Sequence, residues 1–120
     1  MIRPGARILL LEDEPIIAMT LADLLEDRGC TVHLAHSLSA ASDAIEDGEF
    51  DAAILDINIA GNKSYGVAER LLHLAVPFVF ASGYGDATHP AHLRNVPTVA
   101  KPYRLPSIAA ALASCRKDGG

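Results

Sequence analysis

Ala52-Ala53-Ile54-Leu55-Asp56 reads as a strand of apolar side chains closed by a carboxylate. Two further runs end comparably: Ile8-Leu9-Leu10-Leu11 meets Glu12-Asp13, and Phe78-Val79-Phe80-Ala81 meets Ser82-Gly83. A shorter run, Pro97 to Ala100, stops at Lys101-Pro102. Strands without polar alternation are buried on both faces, as in a parallel sheet covered by helices. In an open sheet of that kind ligands bind outside the carboxyl ends of the strands, where these polar residues fall.

Between the runs the spacing turns helical. Pro15 suits a first helical turn, Ile17, Leu21, Leu24, Leu25 and Arg28 recur at helical intervals, and Gly29 is a natural stop. Thr31 to Ala35 is a second short strand. Ser37 caps a helix through Ala41, Ala44 and Ile45 that ends at Gly48. After Asp56 a loop from Asn58 to Ser64 leads into a helix from Tyr65 to His73, with Val67, Leu71 and Leu74 inward. Pro77 opens the fourth strand. The segment from Asp86 to Asn95 is a weak helix with Pro90 in its middle. A last helix, near 105–116, buries Leu105, Ile108, Leu112 and Cys115. Five alternations of strand and helix, joined by right-handed crossovers, predict an α/β fold with a five-stranded parallel doubly wound sheet.

With 120 residues the chain makes one domain, spanning 1–120, too small for a catalytic domain plus an effector domain. Half of the residues are hydrophobic, yet no apolar run approaches the roughly 20 residues of a membrane span. Glu12-Asp13-Glu14 cuts off any secretory h-region, so the expected place is the cytoplasm. A net charge of −5 argues against nucleic-acid binding, which needs a basic face. Cys30 and Cys115 have no metal or redox spacing and read as buried small side chains. His89 and His92 have no third ligand near in sequence, and His33 and His36 flank the end of the second strand without a phosphotransfer helix pattern.

If the first and third strands are neighbours, Glu12, Asp13 and Asp56 converge at the carboxyl edge. Carboxylates about 5 Å apart repel by about 3 kcal/mol per pair at an effective dielectric near 20. Either some stay protonated or a hard divalent cation sits among them; Mg²⁺ suits one or two carboxylates, waters and a phosphate oxygen. Acidic residues also decorate loop tips for no chemical reason. Ser82 and Lys101, however, follow the fourth and fifth strands and reach the same rim. A hydroxyl and an ammonium beside a metal-bound carboxylate are the parts that hold a phosphoryl group in transfer, with Asp56 as nucleophile.

Leu11-Glu12-Asp13-Glu14-Pro15, Leu55-Asp56, Ala81-Ser82-Gly83 and Lys101-Pro102, in that order, resemble the receiver domain of two-component response regulators. The resemblance runs from about Arg7 to Arg116. It implies the flavodoxin-like receiver fold with strand order 2-1-3-4-5, and a phosphoryl group accepted on Asp56 from a histidine kinase or histidine phosphotransfer protein. It implies that Glu12, Asp13 and Asp56, with the main-chain carbonyl of Asn58, hold Mg²⁺. By the same resemblance Ser82 contacts the phosphoryl group, Lys101 pairs with it, and the Lys101-Pro102 bond is cis. Pro77 to Tyr84, with Lys101-Pro102-Tyr103, is similar to a subgroup of single-domain regulators carrying a Phe-Ala-Thr/Ser-Gly-Tyr motif, mostly alphaproteobacterial, some of which act in general stress signalling.

Some positions depart from that pattern. Thr98 stands three before the lysine, where receivers carry an aromatic switch residue, so Tyr84 or the segment 86–95 becomes the candidate reporter of phosphorylation. The loop after Asp56 has Ala60 in place of the common proline, and Gly66 comes later than the usual glycine. The expected function is a stand-alone regulator, not an enzyme, with no output domain, acting through a downstream protein partner, relay or phosphate sink. The rival enzyme is a Mg²⁺-dependent phosphohydrolase; it wants a second Asp two residues after the nucleophile, where Asn58 stands, and a cap for which the chain has no room. A receiver-like scaffold that is never phosphorylated is the third reading.

Overall fold

The computed structural model describes residues 4–82, 93, 96–100 and 106–110, with Ser82 and Ala100 described through their backbone alone. Strands and helices follow in the order β1 (Arg7–Leu11), α1 (Pro15–Asp27), β2 (Thr31–Ala35), α2 (Leu38–Asp47), β3 (Ala52–Asp56), β4 (Asn58–Ile59), β5 (Asn62–Lys63), α3 (Tyr65–His73), β6 (Phe78–Ser82) and β7 (Thr98–Ala100). Residues 106–110 are helical within the expected last helix. One sheet has the order β2-β1-β3-β6-β7, and every pair in it is parallel. Leaving aside the short β4–β5 pair, this is the flavodoxin-like order 2-1-3-4-5.

Alternate side chains of each strand point to opposite faces, so an apolar run feeds two cores at once. Leu9, Leu11, Ala53, Leu55, Phe78 and Phe80 pack with Ala41, Ala44 and Ile45 of α2 and Val67, Ala68 and Leu71 of α3. On the other face Ile8, Leu10, Ile54, Val79 and Val99 pack with Leu21 and Leu25 of α1 and with Ile108. All five residues of β3 are buried, as befits the central strand.

The local signals are met with small shifts. Pro15 begins α1, Gly29 follows its end at φ 89°, and the Ser37 hydroxyl accepts the Ala40 amide at 3.1 Å. Neither Pro77 nor Pro97 lies within a strand. Each offers only a carbonyl to the sheet, accepting from Ala53 (3.0 Å) and Phe80 (2.9 Å) respectively, because proline has no N–H to extend the ladder. Leu74 corrects the expectation that it packs inward. It is the residue that ends α3, it is 55% exposed, and the chain then turns through Ala75 at φ 58°. On α1 the inward face is Ala18, Leu21, Ala22 and Leu25, while Leu24 lies outside it. Cys30 is buried and is in no disulfide among the described residues; Cys115, Tyr84, His89 and His92 lie outside the described residues.

The stretch 58–64 is more ordered than a loop. Asn58 and Ile59 pair antiparallel with Lys63 and Asn62, closing a hairpin over Ala60 and Gly61 at φ 51° and 85°. Two successive positive φ values are the signature of the primed two-residue turn that matches strand twist. Gly61 supplies that conformation at no steric cost; Ala60 adopts it against its Cβ.

Candidate functional site

Parallel pairing of β1 with β3 sets Leu11 beside Leu55, so the residues that follow both strands emerge at one edge. There one carboxylate oxygen each from Glu12, Asp13 and Asp56 lies within 4.8 Å of the others. Glu12 is fully buried and Asp56 is 5% exposed, while Asp13 is half-buried. Carboxylates drawn this close repel one another whenever they are ionised together. The donor set is all hard oxygen, and it fits a small divalent cation rather than a soft metal.

The backbone around Glu12 is fixed on several sides. Its amide donates to Ala35 at 3.0 Å, its carbonyl accepts from His36 Nδ1 at 3.0 Å, and its Oε2 accepts the Glu14 amide at 3.1 Å. His36, one of the five histidines, is thereby given a structural place at the end of β2.

Asp56 is held from the other side of the chain. Its main-chain carbonyl accepts the Ser64 hydroxyl at 2.6 Å, and Ser64 is fully buried. The Ser64 amide donates to Ile57 at 2.9 Å, and its carbonyl accepts the Ala68 amide at 3.1 Å. Ser64 precedes α3 without capping it through its side chain. Sequence reasoning passed over this residue, since a serine ahead of a helix reads as an N-cap. The hairpin reaches the site as well: the Ala60 amide donates to Asp13 Oδ2 at 3.0 Å.

Of the remaining expected site residues, Asn58 opens β4 directly beyond β3. Ser82 closes β6, one residue past Ala81, which pairs with Asp56; it pairs in turn with Ala100. Backbone register therefore puts position 82 at the same edge as Asp56. Lys101 and the Lys101-Pro102 bond lie outside the described residues. Thr98, at the position of the expected aromatic, is exposed at the start of β7. Among the described residues no helix is long and apolar enough to cross a membrane.

Comparison with known proteins agrees with this geometry. The family model described as the response regulator receiver domain matches residues 8–113. TcrA, a transcriptional regulatory protein of Mycobacterium tuberculosis, is 34% identical over 86 residues, covering 70% of this chain and 34% of TcrA. The sensor kinase CckA of Brucella abortus is 32% identical over 115 residues, covering 88% of this chain and 12% of the kinase. The chain thus spans about a third of the length of one of these relatives and about an eighth of the other. Among solved structures, that of SdrG from Sphingomonas melonis is 41% identical with a TM-score of 0.79, covering 93% of this chain and 97% of that one.

Proposed function

The chain belongs to the response regulator receiver family, and we propose that it accepts a phosphoryl group on Asp56 from a histidine kinase or a histidine phosphotransfer protein. The observation that carries this reading is the convergence of Glu12, Asp13 and Asp56 at the carboxyl edge of the sheet. The three carboxylates, with the Asn58 carbonyl at the adjacent strand start, are the groups that would hold Mg²⁺. Bound there, the ion supplies positive charge for the phosphoryl oxygens.

In the transfer a carboxylate oxygen of Asp56 attacks phosphorus, and the bond from phosphorus to the donor's imidazole nitrogen breaks. The hydroxyl of Ser82 is assigned a hydrogen bond to a phosphoryl oxygen, and the Lys101 ammonium an ion pair with another. Ser64 keeps the Asp56 backbone in place while its side chain reacts.

We assign the chain a stand-alone, cytoplasmic role whose output is a downstream protein partner, a relay or a sink for phosphate. Two features support such an output: 41% identity to SdrG, also solved in a BeF3-activated conformation, and a net charge of −5, unsuited to nucleic acid. Intact-mass measurement after incubation with acetyl phosphate and Mg²⁺ tests the chemistry. One phosphoryl group should be gained by the wild type and none by Asp56→Asn. Rapid turnover of many phosphate esters would favour a phosphohydrolase, and no labelling at all would leave a receiver-like scaffold.

A further inference from the structure

We propose that the tip of the β4–β5 hairpin positions Asp13 for the cation and thereby favours Mg²⁺ over larger ions, an inference that rests on the metal site assigned above. In a two-residue hairpin the pairing of Ile59 with Asn62 closes the turn and makes no use of the Ala60 amide. That amide is turned outward by the positive φ of Ala60, 51°, and meets Asp13 Oδ2 at 3.0 Å across 47 positions of chain. The bond ties the loop after β1 to the loop after β3. It also holds the least buried acid of the cluster, since Glu12 and Asp56 are already enclosed.

The chemistry follows from which oxygen is taken. An N–H on Oδ2 is a charge-assisted hydrogen bond that takes up one lone pair of that atom and biases cation binding toward Oδ1. A carboxylate held this way is disposed to bind through one oxygen. Mg²⁺ requires a near-octahedral shell of single oxygens, whereas Ca²⁺ tolerates two-oxygen carboxylates and irregular shells. Ala60 is therefore a positioning residue acting through Asp13, and its main chain does the work.

The test is cation binding followed by amide NMR shifts on the full chain. Ala60→Gly keeps the amide and the backbone conformation and should bind Mg²⁺ as the wild type does. Ala60→Pro has no N–H and cannot adopt positive φ; loss of such an outer partner should weaken Mg²⁺ binding about tenfold. Its Ca²⁺ affinity should change by less than about twofold, and in an Asp13→Ala background the Pro substitution should have no such effect on Mg²⁺ either. Equal loss for both ions, equal loss in both backgrounds, or no loss overturns the proposal. In the event that Ala60→Pro does not fold, hydrogen exchange decides instead: the Ala60 amide should be protected in the wild type and lose protection in Asp13→Ala, and unchanged exchange overturns the proposal. A wild type that binds no Mg²⁺ would sink the site assignment itself, a result distinct from wild-type binding that ignores residue 60.

Discussion

Ser64 carries more of the site than its residue type suggests. Its hydroxyl donates to the backbone of the proposed phosphoacceptor instead of capping α3, and it does so in full burial. Ser64→Ala would remove this buried hydrogen bond, which costs about 0.5–1.5 kcal/mol. Urea unfolding should show the loss, and phosphorylation of Asp56 should slow beyond what a core variant of equal stability shows. The role was illegible in the sequence because it depends on a partner eight positions back that only the hairpin brings near. Glu12, Asp13 and Asp56, by contrast, are legible, since the first two follow one apolar run in succession and the third ends another. Cys30 shows the same logic in reverse: burial raises the pKa of its thiol above the ordinary cysteine range. The folded chain therefore disfavours the thiolate. Stability is unaffected below the pKa of the unfolded thiol and falls as pH rises above it, up through the folded value. In a Cys115→Ser chain, a thiol reagent should label native Cys30 far more slowly than the urea-unfolded form, and equal rates would contradict its burial.

At the scale of the element, the β4–β5 hairpin is where sequence and structure part. The replacement of a common proline by Ala60 marked the loop as different, but periodicity has no power over strands of two residues. The deciding term is backbone conformation. A non-glycine residue in the left-handed region costs about 1–2 kcal/mol, against about 0.5–1 kcal/mol of extra chain entropy for glycine. Ala60→Gly should accordingly be neutral to slightly stabilising, by up to about 1 kcal/mol. Gly61→Ala meets no atom within 4 Å, so its expected loss, about 1 kcal/mol, is a backbone cost alone. Thermal unfolding of both variants checks the pair; a loss in Ala60→Gly as large as in Gly61→Ala would rule out the primed turn. Leu74 was misplaced for a related reason, because helical spacing continues on paper after α3 has ended.

For the molecule as a whole, the order of the sheet could be read because its strands are buried on both faces, a demand that few topologies satisfy. The closeness of the acids could not be measured from sequence, and it has a thermodynamic consequence. A folded chain that gathers three carboxylates within 4.8 Å is opposed by their repulsion until a cation enters. Mg²⁺ at about a hundred times its dissociation constant should stabilise the fold by about 2.7 kcal/mol, seen as a higher midpoint by circular dichroism and reversed by EDTA. Asp13→Asn should raise the midpoint of the metal-free protein and shrink the gain from Mg²⁺. A wild-type midpoint indifferent to Mg²⁺ would contradict a cation site at this edge.

The winding of the chain has one more effect. Each of α1, α2 and α3 starts just beyond the end of a strand of the sheet or its appended hairpin, and none places an acidic side chain in its first turn. Every helix carries roughly half a positive charge at its amino terminus. These partial charges are not cancelled by the helices' own first-turn residues, so they are directed at the rim where an incoming anion must dock. They offset part of the negative charge of Glu12, Asp13 and Asp56 at that edge, and a bound cation would have to supply the rest before phosphate is attracted.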